Sequence, residues 1–472
     1  MLNIIARTFT LNNQREFASF SGDFNPIHVD EIESIKTHAG QPIVHGVHLV
    51  LWSLDALKIQ LKQETELNIK FESQVNLEEY VIAVFNDTKN QILITSKDQK
   101  KLYSTVTIKN WQPKKKSKPT NHEVAFLKQT INPDEPDISG IQLNNKDYDL
   151  YGGSQKELGK ILFPFLVEDI GLNFVYEFAC ISSIVGMKIP GRHSLFVNLS
   201  LKFPSNTSQE KHFFVESKHD LLKIVSLKHF GINLESEIKA FFRPQPSSMR
   251  SINSLRLEYK DRNSLDGKRV LVIGGSRGIG AYVSKLCSIM GAIVTFTFNS
   301  NKQEAINLAA EIIDEGGNIR YRHLNVLDSN QIQEINEEFD HIYFFATPKI
   351  LSNKSKEIDM NMLKKYRLFY VDSFERVINN FCSKRNHTFF LYPSTTYIDE
   401  EKSDFKEYIN AKQEGENICK LFNKKFNSSI LFPRIPALDT DQNLSIIPKK
   451  SEKTSDYAYL LIQQMIENDY NL

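Results

Sequence analysis

Residues 17–28 read Phe-Ala-Ser-Phe-Ser-Gly-Asp-Phe-Asn-Pro-Ile-His, and after a short gap residues 42–46 read Pro-Ile-Val-His-Gly ahead of a long apolar run. Asn25-Pro26 favours a turn, so the side chains of Asp23 and His28 that flank it can converge on one cleft. A carboxylate facing an imidazole suits acid/base handling of water. Gly46 then opens the helical spacing of Val47, Val50, Leu51, Leu54 and Leu57. An amide at a helix start lies outside the intrahelical ladder, and the helix dipole helps it stabilise charge developing on a carbonyl oxygen; glycine lets a substrate approach that backbone closely. Together these parts imply enolate chemistry beside a carbonyl.

Outward from this stretch, Asn3 to Leu11 reads as extended and Gln14 to Phe20 as a short helix. Beyond Lys62 the pattern turns strand-like at Leu67–Phe71, Tyr80–Phe85, Gln91–Thr95 and Leu102–Ile108, β-branched and aromatic pieces separated by polar turns. A helix followed by antiparallel strands predicts an α+β unit, a sheet wrapped around one long helix. Trp111 to Pro119, basic and proline-containing, ends it as a linker. The runs SGDFNPIHVD and QPIVHG resemble the MaoC-like (R)-specific enoyl-thioester hydratases and dehydratases of the hot-dog fold, over residues 1–112. That resemblance implies Asp23 and His28 as the catalytic dyad and Gly46 as the donor of the oxyanion-binding amide.

After a linker at 113–145, the order repeats. An apolar, helix-compatible stretch from Lys160 to Met187 precedes Pro190-Gly191, and then Leu195, Val197, Leu199, Leu201 and Phe203 alternate as in a strand. Further strands are expected at His212–Glu216, Leu222–Leu227 and Ile238–Phe242. Residues 146–246 are therefore expected to form a second, degenerate hot-dog unit that shapes an acyl tunnel, since it has no Asp-x4-His of its own. His193 reads as a loop histidine. Residues 247–266 form a second linker.

A different domain is expected from 267 to 472. Arg269 to Ile273 is a buried-strand pattern that runs into Gly274-Gly-Ser-Arg-Gly-Ile-Gly280 and an amphipathic helix, with another strand at Ala292–Phe298. Between strand and helix the glycines permit a tight turn, and the helix start can receive a pyrophosphate through Gly274, Ser276, Arg277, Gly278, Ile279 and Gly280. The second strand ends at Thr297-Phe-Asn299 without an acidic residue for a ribose 2′-hydroxyl, while Arg277 and Lys302 could face a 2′-phosphate, which favours NADPH. Strands at Ile319–Leu324, His341–Ala346 and Thr388–Tyr392, with Ala346 at the cofactor edge, alternate with helices around Gln331–Glu338 and Leu363–Phe381. That predicts a doubly wound parallel sheet, a Rossmann domain behind a double hot-dog half. Tyr408 and Lys412 lie one helical turn apart, and a cation beside a phenol favours the phenolate.

Taken together, GGSRGIG, the Ser394-Thr-Thr396 cluster and Tyr408-Ile-Asn-Ala-Lys412 resemble the short-chain dehydrogenase/reductase family, in a divergent ketoacyl reductase-like form. The resemblance implies Tyr408 as proton donor, Lys412 as its tuner and ribose ligand, and a hydroxyl from Ser394 or Thr395 on the substrate carbonyl; spacing leaves that choice open, with Ser394 placed first. Three departures stand out: Ala346-Thr-Pro348 replaces the usual Asn-Asn-Ala-Gly, Asp372 falls near the expected active-site Asn, and Pro433-Arg-Ile-Pro436 replaces the common Pro-Gly.

A chain of 472 residues with net charge +1 gives no general drive toward nucleic acid or membrane surfaces. Cys180, Cys287, Cys382 and Cys419 show no paired spacing that suggests a metal. No secretory or spanning apolar run is evident, so a cytoplasmic location is the default expectation. The expected function is bifunctional: reduction of a 3-oxoacyl thioester with NADPH, and dehydration of the 3-hydroxyacyl thioester to the trans-2-enoyl thioester, or both steps in reverse. The other reading makes one half catalytic and the other an acyl- or nucleotide-binding assembly module. The expected partners are acyl-CoA or an acyl carrier protein, and both resembling families suggest a homodimer or homotetramer.

Overall fold

The computed structural model describes residues 3–62, 65–109, 122–124, 128–149, 151–203, 211–245, 249–353, 357–382, 388–426, 429–440 and 452–470. The basic tract Trp111–Pro119 lies outside them. The chain forms two compact units, residues 1–245 and 246–472.

In the first unit the chain runs β1 (Asn3–Arg7), α1 (Leu11–Ser21), α2 (Pro26–Val29), α3 (Glu31–Ile35), α4 (Gly46–Ala56), β2 (Glu66–Phe71), β3 (Val81–Asn86), β4 (Gln91–Ser96) and β5 (Leu102–Lys109). It continues α5 (Gly159–Leu162), α6 (Pro164–Ile170), α7 (Leu172–Ser183), a π-turn at Ile184–Lys188, β6 (Ser194–Lys202), β7 (His212–His219), β8 (Ile224–Phe230) and β9 (Glu235–Phe242). Helix, then antiparallel strands, occurs twice, as the sequence pattern predicts. All the strands join one nine-stranded sheet, β1-β3-β4-β5-β2-β6-β9-β8-β7. The seam is β2 against β6, antiparallel from Glu66↔Lys202 to Lys70↔Asn198. The apolar residues of α4 and α7 share one core with the inward residues of this sheet, Leu67, Ile69, Leu199 and Leu201 among them.

Local chemistry explains the elements around residue 23. Thr10 and Asn13 form a reciprocal capping box at the start of α1. Asn25 caps α2 by accepting from the Ile27 amide, and Pro26 stands in its first turn, where a missing N–H costs nothing. The Asn-Pro pair thus starts a one-turn helix that carries His28. Midway along α7, Glu177 is buried and accepts from Ile232 N at 2.6 Å, Asn233 N at 2.9 Å and Asn233 Nδ2 at 2.8 Å, pinning the β8–β9 connection to the helix.

The second unit takes in the whole stretch expected as a linker at 247–266. That stretch holds α8 (Ile252–Glu258), whose Ile252 and Leu255 are buried in the core. The chain then runs β10 (Arg269–Ile273), α9 (Gly278–Ile289), β11 (Ile293–Phe298), α10 (Lys302–Asp314), β12 (Ile319–His323), α11 (Ser329–Gln333), β13 (His341–Phe344), α12 (Met360–Arg367) and α13 (Ser373–Cys382). A π-turn at Leu368–Asp372 joins the last two helices. There follow β14 (Phe389–Leu391), β15 (Ser394–Thr395), α14 (Lys406–Phe426), β16 (Ile430–Leu431), β17 (Arg434–Ile435) and α15 (Thr454–Tyr470). The six-stranded parallel sheet has the order β12-β11-β10-β13-β14-β16, which is the doubly wound arrangement with its switch point between β10 and β13. Among the described residues no single helix is long and apolar enough to cross a membrane.

Candidate functional site

The expected residues of the first unit converge. The ligand-capable atoms of Asp23, His28 and His45 all lie within 4.8 Å of one another. Asp23 is 2% exposed, and its carboxylate accepts from Ser182 Oγ at 2.6 Å and from the Asn25 amide at 3.2 Å. Burial pushes the Asp23 carboxyl up to about 7, against the lowering effect of those two hydrogen bonds. His28 is partly exposed; its Nδ1 donates to the Ile43 carbonyl at 2.8 Å, which leaves Nε2 with a free lone pair. Burial draws His28 down to about 4, with the Ile43 carbonyl opposing and Arg243 adding to the fall. Gly46 is the first residue of α4, so its N–H stands outside the helix ladder, and a Cβ there would lie 2.7 Å from Phe71 Cε1.

Sequence reasoning did not find the donors from the second half. Ser182 is 159 positions from Asp23, and the π-turn after it brings Gly186 so close that a Cβ would sit 2.2 Å from Asp23 Oδ1. Asn25 Nδ2 donates to the Gly186 carbonyl at 2.8 Å and to the Gly191 carbonyl at 3.1 Å. The half that has no dyad therefore braces the turn that carries one. One signal was available: Ser182-Ser183 is a polar pair in an apolar helix, and buried hydroxyls need partners. His193 is buried in a 3₁₀ turn with Glu135 at 3.7 Å. His45, read only as the residue before Gly46, stacks on His28 with ring centroids 3.9 Å apart. Asp23, His28 and His45 are the one group of three or more potential metal-ligating side chains found among the described residues. Both His45 nitrogens already meet oxygens of Gln14 and Asp23, so the donor set suits proton handling.

In the second unit the glycine loop leaves β10 and enters α9. Gly274 has φ +78°, and a Cβ there would lie 2.8 Å from the Ala346 amide, so the loop can cross the end of β13 only as glycine. Arg277 is the N-cap of α9 and makes no side-chain capping bond. The first-turn amides around Gly278, Ile279 and Gly280 are thus available to an anion, which fits a dinucleotide pyrophosphate. Ser276 and Arg277 line this turn, and Asn299 and Lys302 are exposed beyond the end of β11. These positions share the carboxyl edge of the sheet at the switch point.

Tyr408 and Lys412 lie on α14 and are both buried. Thr395 lies close enough to the Tyr408 phenol to pull its pKa down against burial. Ser394 Oγ instead donates to Glu416 Oε1 at 2.6 Å, and Glu416 is gripped in bidentate fashion by Arg434, at 2.8 and 2.9 Å. Ser394, placed ahead of Thr395 on the sequence, thus gives its proton to the network that Arg434 brings in place of the usual glycine. The expected cation–phenolate pair also differs. Lys412 Nζ donates to the Pro393 carbonyl at 2.5 Å and sits 4.0 Å from the Tyr370 ring centroid but 5.8 Å from that of Tyr408. Burial draws Lys412 down to about 7 and raises Tyr408, so this arrangement holds a neutral phenol. Thr347 bonds to the Tyr370 hydroxyl, and Asp372 ends the π-turn that carries Tyr370.

No curated protein matches the chain. Solved structures similar to it include a short-chain dehydrogenase/reductase from Serratia marcescens BCRC 10948, 17% identical over 43% of this chain and 92% of that one, TM-score 0.39. A short-chain dehydrogenase from Escherichia coli CFT073 complexed with NADPH is 16% identical over 43% and 92%, TM-score 0.40. The angucycline C-6 ketoreductase LanV with bound NADP is 16% identical over 43% and 90%, TM-score 0.40. Residues 3–107 match the family model of the MaoC like domain, and residues 268–344 match that of the short chain dehydrogenase. The chain is thus a fusion of a MaoC-like dehydratase domain with a short-chain dehydrogenase domain.

Proposed function

We propose that the two domains act in succession on one acyl thioester: NADPH-dependent reduction of a 3-oxoacyl group, then dehydration of the 3-hydroxyacyl product to the trans-2-enoyl thioester, or the same steps backward. The observation that carries this reading is the approach of Asp23 and His28 to within 4.8 Å, one buried and one half-buried, beside the first amide of α4. We read residues 146–246 as a second hot-dog unit without a dyad, which supplies Ser182 and Gly186 to the first.

In the dehydration, His28 Nε2 removes the C2 proton, and the Asp23 carboxylate steadies the imidazolium while accepting the hydrogen bond of the C3 hydroxyl. The C3–O bond breaks, the proton passes from His28 to the departing oxygen, and water leaves. The Gly46 amide holds the thioester oxygen as it gains charge. One proton cycles through His28, so the step balances without another acid.

In the reduction, a bound nicotinamide supplies hydride to the C3 carbonyl. Tyr408 gives its phenolic proton to the carbonyl oxygen, and Thr395, beside that phenol, positions the oxygen. Lys412 would hold the ribose of a bound nicotinamide nucleotide and would return a proton to the Tyr408 phenolate. The lack of an acidic residue at the end of β11, with Arg277 and Lys302 nearby, favours NADPH. The carrier is coenzyme A or an acyl carrier protein. A second reading, a nucleotide-binding domain that does not reduce, is favoured by the engagement of Lys412 with Pro393 and Tyr370.

A thioester panel followed by NADPH absorbance and enoyl absorbance tests both. Tyr408→Phe should stop NADPH consumption and leave dehydration of added 3-hydroxyacyl thioester intact, and Asp23→Asn should stop enoyl formation and leave NADPH consumption intact. Absence of NADPH oxidation with every 3-oxoacyl thioester, beside intact enoyl hydration, selects the second reading.

A further inference from the structure

We infer that His45 is held as an imidazolium, both ring N–H groups donating, and that this buried cation is a positioning group that keeps Asp23 ionised. The inference rests on the dehydratase reading of Asp23 and His28.

The orientation of Gln14 decides the matter. Its Oε1 accepts the His45 backbone N–H at 3.0 Å, and a backbone N–H can only donate, so the amide must present oxygen to His45. The same oxygen lies 2.9 Å from His45 Nδ1. On the opposite side of the ring, Nε2 lies 3.0 Å from the carbonyl oxygen of Asp23. Each ring nitrogen therefore meets an acceptor. A neutral imidazole carries one N–H and would set a lone pair against an oxygen on one side or the other. The ring is 0% exposed, and buried polar atoms are rarely left in such a state.

The surroundings supply the compensating charge. Asp23 Oδ2 is 3.9 Å from His45 Nε2, so the buried cation has a buried anion. The other titratable neighbours are His28, stacked on one face, and His48, farther along α4. Burial holds His28 and His48 below the ordinary histidine range, and neither His48 nitrogen has a partner, which leaves both neutral. Arg7 acts on His48 and Arg243 on His28. Burial, joined by His28 and His48, draws His45 well below the ordinary histidine range, with the Asp23 carbonyl opposing; against that fall stand an acceptor at each ring nitrogen and the Asp23 carboxylate 3.9 Å away. The cation in turn draws the Asp23 carboxyl down from where burial would place it, and it discourages a permanent charge on the stacked His28. Asp23 then stays an acceptor while His28 keeps its lone pair, the protonation states that the proposed elimination uses.

The test uses the full chain with ring-¹⁵N histidine. His45, assigned by the signal lost in His45→Gln, should show protons on both nitrogens at neutral pH. Gln14→Leu removes the acceptor at Nδ1; one nitrogen should lose its proton, and the acid limb of kcat/KM for enoyl hydration should move up by about one pH unit or more. Gln14→Glu, which keeps an oxygen at Nδ1, should retain both protons and leave the limb at or below its wild-type position, and it carries the comparison if Gln14→Leu does not fold. An unprotonated His45 nitrogen in the wild-type chain, or a limb that stays put when Nδ1 loses its acceptor, overturns the inference. A doubly protonated His45 in a chain that hydrates no enoyl thioester supports the charge assignment and overturns the dehydratase reading.

Discussion

Replacing Ser182 by alanine removes one hydroxyl from the second half of the first unit and leaves the Asp23-His28 turn intact in sequence. Ser182 Oγ donates to Asp23 Oδ2 at 2.6 Å, a short bond to a buried carboxylate. A hydrogen bond to a charged group contributes about 1.5–3 kcal/mol. At roughly 1.4 kcal/mol per pH unit, its loss should raise the Asp23 pKa by about one to two units. The sign is fixed: the hydroxyl favours the carboxylate, the proposed reaction needs the carboxylate, and without the hydroxyl the active form appears only at higher pH. The acid limb of kcat/KM for enoyl hydration should therefore move upward by about one to two units, with a loss of about 10- to 100-fold at pH values below the new limb and recovery above it. Ser182→Thr, which keeps the hydroxyl, is the control. A Ser182→Ala variant that folds and retains the wild-type profile would refute the claim that the second half tunes Asp23.

Four further expectations follow from the same geometry. Burial raises the Asp23 carboxyl above its ordinary 3.8, so its contribution to stability is present below 3.8 and lost as pH rises through the folded value, about 7 before any charge on His45 lowers it; the urea stability of wild type should fall relative to that of Asp23→Asn across this window, and equal pH slopes for the two would contradict the burial of the carboxyl. Thr395→Ala should lower kcat for NADPH-dependent reduction by about 100-fold or more, whereas Ser394→Ala, which frees Glu416, should act on thermal stability with a smaller effect on kcat; equal losses of kcat would contradict the placement of Thr395. Arg277→Ala should raise KM for NADPH and leave KM for NADH nearly unchanged, and a parallel rise in both would argue against a 2′-phosphate role. Glu177→Ala leaves the buried amides of Ile232 and Asn233 without their acceptor and should cost about 3 kcal/mol or more in urea unfolding of the first unit, a cost that Glu177→Gln should only partly incur.

Much of this was legible because it is written in local pattern. The alternation of Leu67, Ile69 and their neighbours announces half-buried strands, and Arg269 to Gly280 announces a strand, a glycine turn and a helix. Asp23 and His28 were legible for the same reason, since a six-residue span with a proline inside has few ways to fold. What stayed hidden depends on contacts between distant residues. Ser182 meets Asp23 because α7 packs against α1, whose end leads into Asp23, and no spacing along the chain encodes that packing. Ser394 looked equivalent to Thr395 until Arg434 and Glu416 were seen to claim it. The stretch 247–266 looked like a linker because its polar residues dominate, yet Ile252 and Leu255, three apart on one helical face, suffice to dock it. For Lys412, side-chain spacing on α14 was right, but the rings of Tyr370 and Tyr392 draw the ammonium aside.

The seam between β2 and β6 sets the smallest fragment worth expressing. A chain cut at the end of the matched MaoC like region would strip β2 of five paired residues, from Glu66 to Lys70, and offer a raw strand edge to any passing chain. It would also strand Asp23 without its serine. Recombinant work on the hydrating half should accordingly keep everything through residue 245, and a shorter piece that aggregates or sits idle would say nothing against the chemistry assigned to it.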